Sequence, residues 1–270
     1  MPVLSGVTTT DAAERAMDIS SEGLMRALLA SLGFLLASGA MSAPLFRVAV
    51  GEHKPPYILQ DTHSGVEYEL IVTALQRAGF QLDVQHMPNK RSQGLLAVGK
   101  LDATIAATGA IASEPYIVYQ NMAVTLCKDN VRLQQISDLT RYNIAAFHNA
   151  SQLLGADFAR INTDNQRYRE VSPQYLLNRM LWAGHIQVAI SDINIFKHFN
   201  REVDPKNSRA LCPFALFPPT QYRLIFREAS ARDRFNLALR ELRNNGFYEL
   251  LAQKYQLSSG MQHPYFKPID

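Results

Sequence analysis

Phe46-Arg47-Val48-Ala49-Val50-Gly51 opens into Lys54-Pro55-Pro56-Tyr57, and Gly65-Val66-Glu67-Tyr68-Glu69-Leu70-Ile71 follows. Further on stand Gly99-Lys100-Leu101-Asp102-Ala103-Thr104-Ile105 and Ser113-Glu114-Pro115-Tyr116. A short apolar run, a proline-bounded turn and an apolar repeat at helical spacing read as strand, loop and helix. The repeat places Val66, Leu70, Ile71, Ala74, Leu75 and Ala78 on one face, and Gly79 ends it.

The same alternation continues outward. Strands are expected at 81–86, 103–107, 122–127, 143–147, 168–171, 187–190 and 222–226. Helices are expected at 66–78, 91–98, 151–160, 173–183, from Asp192 onward, 231–244 and 247–255. Strands alternating with helices argue for an α/β fold. The 270 residues, 47% hydrophobic and 19% charged, suffice for one large domain or two small ones. A net charge of +3 without a dense Lys/Arg block argues against a nucleic-acid partner.

The N-terminal region reads differently. Arg26 precedes an apolar run at 27–39, with small residues at Ala40, Ser42 and Ala43. That pattern resembles a secretory signal peptide, its apolar core well short of the roughly 20 residues that span a bilayer; the alternative is an amphipathic or buried helix. Residues 1–43 are therefore expected to be a signal peptide with an over-extended N-terminus, since Asp11, Glu14, Asp18 and Glu22 do not suit a short basic leader and Met25 begins a better one. Export would permit disulfides. Cys127 and Cys212 form no CxxC motif, and neither sits at the signal exit as a lipoprotein anchor would. They are either a disulfide joining the two connecting segments or two separate buried thiols. The seven histidines show no i, i+4 pairing, so no metal and no cofactor is expected.

Taken in order and spacing, the motifs from Phe46 to Tyr119 resemble the first lobe of bacterial extracellular solute-binding proteins of family 3, the amino-acid-type receptors of ABC importers. Phe235 to Leu242, Asn245-Gly246-Phe247 and Lys254-Tyr255 resemble that family's terminal helices. The resemblance covers roughly 45–257. It implies a two-lobed periplasmic-binding-protein type II (Venus-flytrap) fold with two hinge crossings: lobe 1 at 44–121 plus 222–270, lobe 2 at 128–213, hinge at 122–127 and 214–221. It implies a monomer that captures a small polar ligand, amino-acid-like or an amine or carboxylate, for an inner-membrane ABC permease. A sensor without a transport role is the alternative. A lyase or dehydratase on the same fold is a lesser one, with Glu114, Asp192 and Glu69 as its candidate acids.

The resemblance also nominates site residues. Tyr57, after Pro55-Pro56, would lie over the ligand; otherwise it is a loop tyrosine packed on its own lobe. Asp192, after a strand, would accept the ligand's ammonium group; otherwise it is an N-cap. Asn149, Ala150 and Ser151 would present backbone N–H groups to a carboxylate, or simply cap a helix. The family's arginine for the α-carboxylate has no counterpart between Asp102 and Ser113, where Ala106 to Ala112 carry no basic residue. Arg91 is the candidate substitute, with Thr108 and Gly109 offering a hydroxyl and an N–H nearby.

Overall fold

The computed structural model describes residues 45–257 and 266–268; the expected signal peptide lies outside them. In the first lobe, β1 (Phe46–Val50), β2 (Leu82–His86) and β3 (Ala103–Ala106) are parallel. Then β4 (Ile117–Tyr119) leads through Gln120 into β5 (Asn121–Leu126), a strand of the second sheet. There β6 (Ile144–Phe147), β7 (Tyr168–Val171) and β8 (Val188–Asp192) run parallel, while β9 (Leu211–Phe214) pairs antiparallel with β5. The chain returns through 215–219 to β10 (Thr220–Phe226), inserted between β3 and β4. The two five-stranded orders are β2-β1-β3-β10-β4 and β7-β6-β8-β5-β9.

Eight α-helices accompany these sheets among the described residues: α1 (Val66–Arg77), α2 (Asn89–Ala97), α3 (Ala150–Leu153), α4 (Ala156–Asp164), α5 (Tyr175–Trp182), α6 (Ile193–Val203), α7 (Ala229–Asn244) and α8 (Phe247–Lys254). Central strands β3 and β8 are buried throughout, as strands covered on both faces must be. One apolar cluster joins Val48, Leu70, Ile105, Leu224, Phe235 and Leu251 in the first lobe. Two more flank the second sheet, one around Ile144, Phe158 and Ile190, the other around Val124, Leu177 and Phe196. Ile195 of α6 belongs to the first lobe's cluster, so that helix packs across the gap between lobes.

Several boundaries differ from the sequence reading. The hinge expected at 122–127 falls on β5, whose residues bond to β8 and β9; the passage between sheets runs through Gln120. Gln120 Nε2 donates to the Phe217 carbonyl at 2.9 Å, fastening one crossing to the other. The helix expected at 151–160 is split into α3 and α4 by Gly155, whose φ of 92° breaks the helical run. The helix expected from Arg91 begins two residues earlier, at Asn89.

Gly65 shows how a loop is fixed before a site is built on it. Its φ is 114°, and an added Cβ would stand 2.3 Å from the Tyr57 carbonyl oxygen. That close approach lets the N–H groups of Glu67 and Tyr68 donate to the same carbonyl, at 2.9 and 3.3 Å. Gly65→Ala should therefore cost more than about 1 kcal/mol, since the native backbone suits no side chain. Urea unfolding checks this; an unchanged midpoint would show that the loop does not need the contact.

Candidate functional site

Tyr57 is fully buried in the first lobe's core rather than laid over an open cleft. Its N–H donates to the Lys54 carbonyl at 2.9 Å, and its ring lies 4.3 Å from that of Tyr119. Its hydroxyl reaches the second lobe. It donates to Asp192 Oδ1 at 3.0 Å and accepts from Asn194 Nδ2 at 3.0 Å. The first-lobe tyrosine and the second-lobe aspartate thus meet directly.

Asp192 ends β8 and caps α6. Its Oδ1 accepts the backbone N–H groups of Asn194 and Ile195, at 2.9 and 3.1 Å; such a cap satisfies donors the helix leaves open. Its Oδ2 accepts from the Gln120 N–H at 2.9 Å. The carboxylate is therefore fastened to α6, to the crossing residue and to the other lobe. Burial pushes its pKa up to about 6, against the opposing pull of these N–H and hydroxyl donors. Three donors fall on Oδ1 and one on Oδ2, so spare acceptor capacity remains on Oδ2. Beside it, Asn194 Oδ1 is buried and has no hydrogen-bond partner.

The sequence reading did not single out Glu67, a fully buried carboxylate on α1. The hydroxyls of Tyr116 and Tyr119 donate to its two oxygens at 2.6 Å each, and Lys54 Nζ lies 3.5 Å from Oε2. Burial, followed by the negative charge of Glu67, holds both tyrosines well above the usual phenol pKa. One signal was available: Glu67 falls in phase with Leu70, Ile71 and Ala74, on the stripe that faces the core.

The second lobe's expected anion donors are taken from within. The N–H groups of Asn149 and Ser151 donate to the Glu170 carboxylate at 2.6 and 2.8 Å, and Tyr168 donates its hydroxyl at 2.9 Å. Burial alone would raise the Glu170 pKa, but bonds from Ser151, Tyr168 and Asn149 outweigh it and hold the group below its ordinary value. Ala150 between them is fully buried. Thr108 and Gly109 are exposed, with Gly109 packed against Ile225. Arg91 is exposed in the first turn of α2. Of the other acids weighed for chemistry, Glu114 pairs with Arg240 and Arg243, and Glu69 with Lys254 and Tyr255. No group of three metal-ligating side chains occurs among the described residues.

Among solved structures, the chain is similar to a histidine kinase sensor domain with similarity to periplasmic binding proteins, at TM-score 0.59 and 18% identity, covering 78% of this chain and 95% of the other. It is similar to the GluR0 ligand-binding core from Nostoc punctiforme in complex with L-glutamate, at 0.58 and 18%, covering 78% and 99%. The fold is that of the two-lobed periplasmic binding proteins. The arginine-, lysine-, histidine-binding protein ArtJ from Geobacillus stearothermophilus matches at 0.56 and 14%, covering 78% and 95%. No protein-family model matches the chain, and no curated protein matches it.

Proposed function

We propose that this chain is a periplasmic solute-binding protein that captures a small polar ligand, amino-acid-like or an amine or carboxylate, between its lobes for an ABC-type importer. One observation carries the reading: Asp192, at the end of a second-lobe strand, reaches the first lobe while keeping unspent acceptor capacity beside the unpaired Asn194 Oδ1. A ligand ammonium fits that demand, replacing or joining the Tyr57 hydroxyl in a site with little water. Rotation of the lobes about the paired crossings admits the ligand. Contact with both lobes then favours the engaged arrangement, because affinity differs between the two. The known ligands of the similar structures, glutamate for one and basic amino acids for another, support the class.

A second reading is a receptor that senses its ligand without transport. The likeness to a kinase sensor domain supports it. Gene neighbours encoding a permease and an ATPase would favour transport over it.

A thermal-shift screen of amino acids, amines, small carboxylates and peptides tests the common part of both readings. At about 100 times its Kd, a ligand should add about 2.7 kcal/mol. Asp192→Asn, which keeps the side-chain volume but not the charge, should abolish the shift. A screen without a single hit, or a hit that binds the Asn variant equally well, would defeat the proposal. Product formation from the hit, lost in the same variant, would point instead to an enzyme.

A further inference from the structure

With no basic residue between Asp102 and Ser113, and Arg91 exposed on α2, a ligand anion needs another cation. Lys54 stands on the segment that carries Tyr57. Its backbone is bridged to Ile58, and its carbonyl accepts the N–H groups of Tyr57 and Ile58 at 2.9 and 3.0 Å. The root of the side chain is therefore fixed with the tyrosine.

The head group is held differently. Lys54 Nζ lies 4.5 Å from the centre of the Tyr119 ring and 3.5 Å from Glu67 Oε2. The latter distance is longer than the 2.7–2.9 Å or so of a charge-assisted hydrogen bond. Nζ makes no hydrogen bond among the described residues, so its three donors are unspent. The side chain is about one-third exposed, at 34%, whereas Glu67 is wholly buried. A buried carboxylate and a ring face thus steady the ammonium, and its free donors remain within reach of an incoming group.

Lys54 and Asn194 make complementary demands at the Tyr57–Tyr119 ring pair, Lys54 Nζ lying over the Tyr119 ring and Asn194 Nδ2 donating to the Tyr57 hydroxyl. Lys54 Nζ has only the long ion pair to Glu67 and the ring face; Asn194 Oδ1, next to Asp192, lacks a donor. We propose that Lys54 is the anion-recognising residue of the ligand site, so that the ligand is a zwitterion with its ammonium group at Asp192 and Asn194 and its carboxylate on Lys54. This rests on the ligand-binding reading above. It assigns to a lysine on the loop after β1 the role that Arg91 was expected to fill.

The test is titration calorimetry with a panel of L-amino acids, each beside its carboxamide and its decarboxylated amine. The wild-type protein should bind at least one free acid about 10-fold or more tightly than the matched carboxamide, as expected when a charged bond is lost. Lys54→Met should collapse that preference by weakening free-acid binding by about 10-fold more than carboxamide binding, and Lys54→Arg should retain part of it. If Lys54→Met alone unfolds the chain, the Lys54→Met/Glu67→Gln pair, which removes both charges, provides the comparison. An acid preference that survives loss of Lys54, or that disappears in Arg91→Met instead, overturns the assignment and leaves the ligand-binding reading standing. If the wild-type protein binds no panel member, the zwitterion assignment fails, while the ligand-binding reading stands or falls on the wider thermal-shift screen.

Discussion

Asp192→Ala should destabilise the protein by about 3–5 kcal/mol, because it strips partners from several buried donors at once. The Tyr57 hydroxyl and the N–H groups of Gln120, Asn194 and Ile195 all lose an acceptor, and α6 loses its cap. Denaturant unfolding measures the loss. A cost under about 1 kcal/mol would mean that water satisfies these donors and that the contact contributes little. The pH dependence is a sharper probe of the same residue. Its folded pKa of about 6 lies above the ordinary 3.8, so the folded chain holds the proton more tightly than the unfolded one. The associated stability is present below about pH 4 and lost as pH rises through 6, on the order of 3 kcal/mol in all. Asp102 and Glu170, held below their ordinary values, act in the opposite sense: they add stability that is lost as pH falls. The difference between wild type and Asp192→Asn isolates the one group. That difference should fall between pH 4 and 6; a flat line would show that burial does not raise the carboxyl.

Opening the Cys127–Cys212 bond should cost about 2–5 kcal/mol, since it releases a loop of 85 residues in the unfolded chain. Two features make the loss local. The bond joins the end of β5 to β9, and β9 is an edge strand with Pro213 in its four-residue pairing. Prolines belong at such edges because they cannot donate to a ladder. Reduction, or a Cys127→Ser/Cys212→Ser pair, should therefore speed amide exchange at Leu211 and Phe214 before the first lobe is affected. Equal unfolding midpoints with and without reductant would contradict this.

The sequence made the first lobe legible because its contacts are local in pattern: β1, the loop to Tyr57 and α1 each show their periodicity within a dozen residues. What it hid is non-local. The insertion of β10 between β3 and β4 depends on pairings more than 100 residues apart; the family resemblance implied only that the chain from 222 returns to the first lobe, and periodicity showed neither. The short strands β4 and β9 carry little periodic signal, and Pro213 argues against a strand until its edge position is known. The site was legible as residues but not as contacts. Tyr57 and Asp192 were both nominated, yet whether their partner was a ligand or each other depends on distances across the lobes. The donors at Asn149 and Ser151 were equally visible, whereas the Glu170 that occupies them lies on a neighbouring strand, β7. Glu67 could have been found by helical phase alone; its tyrosine partners, about 50 positions away, could not.

The strand β4 borders the first sheet, and a bare border invites association with other molecules. Here the outward N–H of Val118 already donates to the Phe266 carbonyl at 2.8 Å, while the Phe266 ring is sunk against Tyr248. Lys267 anchors the same stretch through Glu249. Phe266 and Lys267 thus cover this rim of the sheet at Val118, so that the strand's outward donor there is not left open to pairing with another chain.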